Sequence, residues 1–186
     1  MRSESKRDIG IALHPSIPWD TGAAAVHGIS EAEARRGTPA AEALLELAGA
    51  LRGVHVVVAH NLSFDKPVIR AAAYAEADRG SKEVANLRNL RSIWPAGLGE
   101  FCTMRELRNI VRIPSPSPEA REPFKAPKLS ELYGWLYGHA FDISGGYLHS
   151  ARADTFCLAS CMTALLRRGI VRASEGRLIA VPPETE

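Results

Sequence analysis

Only three cysteines occur in this chain of 186 residues. So few, and an odd number, exclude a scaffold built on disulfides. Cys157 and Cys161, one helical turn apart, instead suit small buried hydrophobes in a reducing compartment. The three also lack the paired spacing of a structural zinc site, which sets zinc aside. Long apolar runs are missing too: nothing approaches the roughly 20 residues that a membrane helix needs. The leader MRSESKRD has no apolar core of a secretion signal. A cytoplasmic protein without a membrane partner is therefore expected. Neither sign of charge dominates, with 23 Lys and Arg against 21 Asp and Glu, so the net charge of +2 does not by itself identify a partner. No internal repeat is visible.

What is present reads as an ordinary globular protein, 46% hydrophobic and 24% charged. The length suits one domain over residues 1–186 with a sizeable core.

In chain order, DIGIAL predicts a short strand ending in the loop HPSIP. VHGIS leads into a first short helix, with Ser30 and Glu33 as a capping box and Gly37 as its stop. Thr38 and Pro39 restart a second helix as N-cap and first residue, with Leu44, Leu45, Ala48 and Leu51 as its buried face. Val54 to Asn61, VHVVVAHN, reads as a strand buried on both faces of a sheet. It passes straight into a helix beginning LSFDKPVIR, with Ser63 as the cap. FCT predicts another short strand, followed by a helix MRELRNIVR opened by a Thr103–Glu106 capping box. Arg105, Arg108 and Arg112 would share one face of it, either touching phosphate or, the preferred reading, solvated and balanced by Glu106. Residues 112–128 are proline-rich and irregular, a flap or a spacer, with the spacer preferred. KLSELYGWLYG is predicted as a helix with Leu129, Leu132, Tyr133 and Leu136 inward. Residues 170–186 form a C-terminal extension with a hairpin turning at Glu175 and Gly176.

Two carboxylates stand out. Asp154 begins a helix stripe continued by Cys157, Leu158, Cys161, Met162, Leu165 and Leu166. Asp65 begins a second stripe, continued by Val68, Ile69, Ala72 and Ala73, directly after a strand. A carboxylate on a core-facing stripe needs a partner or a metal, although a first-turn acid is also favoured by the helix dipole. Ser150 is the better N-cap for the helix of Asp154, and His149 lies in the loop before it.

HSARAD (149–154) and VAHNLSFD (58–65) together resemble two of the three motifs of the DEDDh exonuclease superfamily, which includes the epsilon proofreading subunit of bacterial DNA polymerase III. The similarity runs from about residue 8 to 168, through HPSIPWDTGAAAVHGIS, FCTM and KLSELYGWLYG in the family's order. It implies an α/β fold, a ribonuclease H-like mixed sheet flanked by helices. The implied activity is 3′-5′ exonuclease hydrolysis of a nucleic-acid 3′ end, single-stranded DNA rather than RNA, with a DNA polymerase as partner. Asp65 and Asp154 would hold Mg²⁺ or Mn²⁺, two ions in the family, and His149 would be the general base, a role that the unperturbed imidazole pKa of about 6.5 suits. His27, Asn61 and Phe64 would contact substrate. The sister subgroup carries Tyr where this chain has Ser150, which favours the His subgroup.

One motif is missing. No Asp-x-Glu follows an apolar run ahead of VHGIS, so the sheet is expected to lack its first one or two strands and the domain to be N-terminally incomplete. As written, at most one weakly bound ion and impaired turnover are expected. The alternative is a non-catalytic module that binds nucleic-acid ends or a polymerase.

Overall fold

The computed structural model describes residues 8–80, 93–117, 119–141 and 150–182. Helices predominate over short strands in a mixed α/β arrangement. The chain folds as two compact units, each drawn from three stretches of sequence. The first comprises Met1–Arg52, Pro67–Ala96 and Ile143–Ala153, and the second Gly53–Lys66, Gly97–Asp142 and Asp154–Glu186. No helix among the described residues is long and apolar enough to cross a membrane.

In the first unit, α1 (Thr21–His27) was not anticipated from the sequence. Its N-terminus is held by the Asp20 carboxylate, which accepts from Gly22 N at 2.8 Å and Ala23 N at 3.0 Å. The Ser30–Glu33 box caps α2 (Glu31–Arg35) as predicted. The expected strand at 8–13 is reduced to a single parallel bridge between Ile11 and Thr38. That bridge corrects the role given to Thr38, whose backbone bonds Gly10 O and Ala12 N, both at 2.7 Å. Pro39 takes the N-cap position of α3 (Ala40–Ala50) without a side-chain bond. Gly37 has a second purpose besides ending α2: a Cβ there would lie 2.6 Å from the backbone of residues 10–12. Along α3, Leu44 and Ala48 are buried and Leu51 follows them inward, but Leu45 is exposed, contrary to expectation.

The second unit holds the strands. β1 (Val56–Ala59) pairs in parallel with β2 (Gly99–Cys102), Ala59 opposite Cys102. β1 is shorter than predicted and only half-buried, because among the described residues its ladder continues on one edge alone. After β2 the anticipated single helix breaks into α5 (Thr103–Glu106) and α6 (Arg108–Val111), with fully buried Leu107 at the junction. Of the two readings of the arginines, the one balanced by Glu106 holds for Arg105. Arg105 pairs with Glu106 at 2.7 Å, and Arg112 turns back to Asn109 O at 3.0 Å. The proline-rich stretch is ordered locally by a bridge between Pro114 and Phe124.

Helix α7 (Leu129–Tyr137) buries Leu132 and Leu136 and half-buries Leu129 and Tyr133, as its spacing requires. They pack with the inward residues of α8 (Ala151–Arg167), Cys157, Cys161, Met162 and Leu165, and with Phe101 and Leu107, in one hydrophobic core. The predicted hairpin is present as β3 (Val171–Ser174) and β4 (Arg177–Ala180), antiparallel, with Glu175 and Gly176 at positive φ. β4 lies alongside β2. Helix α4 (Leu62–Asp78) starts in this unit and runs on into the first.

Candidate metal and nucleic-acid site

The carboxyl end of β1 organises the candidate site. Two residues, His60 and Asn61, separate the strand from α4. Asn61 adopts φ 80°, a left-handed conformation that asparagine tolerates better than most residues. Its carbonyl accepts from Phe64 N at 2.8 Å and Asp65 N at 3.4 Å. Ser63, expected as the cap, lies inside the helix and donates its hydroxyl to Asn61 Oδ1 at 2.9 Å. Asn61 makes the turn, and this places Asp65 in the first turn of α4.

Asp65 lies on the inward stripe with Leu62, Ile69 and Ala73, while Val68, expected on that stripe, is half exposed. Burial pushes the Asp65 carboxyl above its ordinary pKa, and burial is the whole cause of the shift. The neighbouring Lys66 ammonium reaches Glu100 Oε1 on β2 at 2.6 Å. Phe64 projects into solvent, 63% exposed.

Asp154 occupies the first turn of α8, exposed, above Cys157 and Cys161 on the same stripe. Ser150 caps this helix as expected, accepting from Ala153 N at 3.1 Å. The Asp154 charge reaches His60, at the end of β1. Burial lowers the His60 pKa, and the Pro127 backbone and Asp154 pull it partly back up. Burial raises the Cys157 pKa, which Asp154 raises further.

Asn61, Phe64, Asp65 and Asp154 therefore all belong to the second unit. His27 belongs to the first, where its Nδ1 accepts from Ile29 N at 3.0 Å and its ring meets Trp19 edge-on. His149 falls outside the described residues. Among the described residues, no three His, Cys, Asp or Glu side chains gather as a metal-ligating group.

Two residues in this neighbourhood carry roles that the sequence did not suggest. Thr103, expected to cap a helix, is fully buried, and its hydroxyl lies 2.9 Å from His60 Nδ1. Cys102 takes the N-cap position of α5 without a side-chain bond. Strand pairing is the signal that links His60 to Thr103, because each comes directly after one of the paired ends of β1 and β2. Comparison with known proteins identifies no relative: no family model, curated protein or solved structure matches this chain.

Proposed function

We propose that this chain is a metal-dependent 3′-5′ exonuclease module of the DEDDh type, ribonuclease H-like in fold, acting on single-stranded DNA ends. The observation that carries the reading is the placement of the two motif acids, Asp65 in the first turn of α4 and partly withdrawn from water, and Asp154 in the first turn of α8, both in the second unit. A carboxylate partly withdrawn from water lowers its free energy by gaining a cation. Asp154 belongs to the same unit and acts electrostatically on His60, five residues before Asp65.

Two carboxylates are within the usual protein donor set for Mg²⁺, which completes its shell with water and substrate phosphate. Asp65 and Asp154 would hold that ion or Mn²⁺, and when bound it supplies positive charge against the phosphate. By the DEDDh resemblance His149, which lies outside the described residues, would serve as the general base for the attacking water. The exposed Phe64 ring offers a face on which a base can stack. Without the Asp-x-Glu pair, one cation and slow turnover are the expectation.

A second reading, a non-catalytic module that binds nucleic-acid ends or a polymerase, fits a sequence that carries two of the three acidic motifs. Incubation with 3′-labelled single-stranded DNA in Mg²⁺ or Mn²⁺ separates the two. The nuclease reading predicts slow release of label, abolished by Asp154→Asn and severely reduced by His149→Ala. Undiminished release by Asp154→Asn would refute it. Binding without release, weakening steeply with salt, would establish the second reading.

A further inference from the structure

We propose that His60 and Thr103 form a latch between the ends of β1 and β2 that positions Asp65 for its cation, both acting as positioning residues and neither as a ligand. The inference rests on the reading of Asp65 as a cation ligand. It begins with how the Thr103 hydroxyl is used. A buried hydroxyl must find a partner, and Thr103 is fully buried. The nearest local use, capping α5, is not taken. The hydroxyl instead lies 2.9 Å from His60 Nδ1 and 3.4 Å from the Ala59 carbonyl, reaching across more than forty residues of sequence. The bond forms in either neutral tautomer, since a hydroxyl donates to a bare ring nitrogen and accepts from a protonated one.

The latch acts on Asp65 through the turn beside His60. The next residue, Asn61, is held at positive φ, and its carbonyl receives the amides of Phe64 and Asp65. Fixing the imidazole against β2 therefore fixes the residue from which the turn begins, and with it the first turn of α4. A second tie acts on the same turn, the 2.6 Å pair between Lys66 and Glu100. Together they secure the backbone on both sides of the Asn61–Asp65 turn, one to β2 at Glu100 and the other to Thr103 directly after it. His60 is itself poorly placed to carry protons, because its ring is part-buried between Thr103, which faces Nδ1, and the Pro127 backbone.

The experiment compares the 186-residue chain with its Thr103→Val, Thr103→Ser, His60→Phe and Thr103→Val/His60→Phe variants. Mn²⁺ affinity is read by electron paramagnetic resonance of the free ion, and unfolding in EDTA is followed separately. Partners that orient metal-ligating side chains typically change affinity by about 10- to 100-fold. Thr103→Val is expected to weaken Mn²⁺ binding about 10-fold, and Thr103→Ser to restore it. His60→Phe is expected to match the loss, and the double variant to lose no more than either single variant, since one bond is broken in each. Should one single variant fail to fold, the other still reads the latch. Wild-type affinity in a folded Thr103→Val or His60→Phe overturns the latch alone, whatever happens to stability. A wild-type protein with no saturable Mn²⁺ site overturns both the latch and the reading of Asp65 on which it rests.

Discussion

The Lys66 ammonium lies 2.6 Å from Glu100 and is thereby tied to β2, although the preceding residue in the chain, Asp65, carries the carboxyl that burial destabilises in its charged form. Both members of the ion pair are about 30% exposed, so the bond itself contributes only about 0–1 kcal/mol. Its larger effect is on the direction of the lysine side chain. A positive charge adjacent to Asp65 in sequence is engaged on the neighbouring strand.

From this comes the behaviour of Asp65→Asn. A carboxyl whose pKa is raised in the folded state binds its proton more tightly there than in the unfolded chain. Its contribution is most favourable below the unfolded pKa and is lost as pH rises through the higher folded pKa. At pH 7 the ionised group is a net cost. In EDTA at pH 7, Asp65→Asn should therefore melt at or above the wild-type temperature, by up to about 2 °C. The gain should shrink as the pH falls through the acidic range where Asp65 takes up its proton. Mn²⁺ should reverse the order: an ion at 100 times its dissociation constant stabilises the wild type by about 2.7 kcal/mol, and a variant that binds it poorly by much less. Calorimetry with and without the ion measures both effects. A variant clearly less stable than wild type in EDTA would mean that the protein already compensates the charge.

Features set by near neighbours are legible in the sequence, and features set by distant pairing are not. Leu132 and Leu136 announce themselves by helical spacing, and Glu175 and Gly176 by the turn they build. Asp65 heads an inward stripe as its spacing implies, whereas Asp154, expected on a core-facing stripe, is exposed because it lies in the first turn of α8, ahead of the buried Cys157 and Cys161. Thr103 misleads because Thr-x-x-Glu is a good local cap, while its actual partner, His60, is brought to it by strand pairing. Thr38 misleads for the same reason, its backbone being drawn to Ile11. The missed α1 is a different case: Asp20 and Gly28 mark its ends in the sequence, but the helix between them is only seven residues and buries no side chain, so it shows no stripe.

The core of the second unit can be tested on α8. Leu165 is fully buried among residues of α6, α7 and β3, and truncation to alanine leaves a cavity that a packed interior cannot close completely. Leu165→Ala should cost about 2–5 kcal/mol. Thr163, two residues earlier on the same helix, is exposed, with its hydroxyl donated to Ala159 O. Thr163→Ala should change stability by less than about 0.5 kcal/mol. Urea unfolding of the pair provides the comparison, and equal losses would show that the α8 stripe does not face a core.

The hairpin offers a stabilising substitution. Glu175 sits at φ 50° and Gly176 at φ 74°, the pair of positive values that a two-residue turn demands. Glycine adopts this conformation freely, whereas glutamate bears a steric cost there. Glu175→Asn, which places Asn-Gly in the turn, should raise stability by about 0.5–1 kcal/mol without altering metal binding. Thermal melts of the two proteins check this, and a loss of stability would mean that the Glu175 side chain makes a contribution the turn geometry does not require.

The cysteines test burial by chemistry. Only a thiolate attacks a disulfide reagent, so reactivity falls both with access and with a raised pKa. Cys161 is fully buried and its thiol is pushed up to about 12, first by burial and then by Cys157 beside it. Cys157 is raised as well, again chiefly by burial, and Cys102 is buried at the end of β2. At pH 8 almost no thiolate exists at Cys161, and the reagent has no path to it. The folded protein should therefore react with 5,5′-dithiobis(2-nitrobenzoate) far more slowly than a free thiol, and all three cysteines should react promptly in about 6 M guanidinium, a strongly denaturing concentration. Raising the pH toward 10 should accelerate the native reaction little at Cys161, since its thiol stays protonated until near its raised value. Rapid labelling of Cys161 at pH 8 under native conditions would place it outside the core and undo the α8 packing from which Asp154 is positioned.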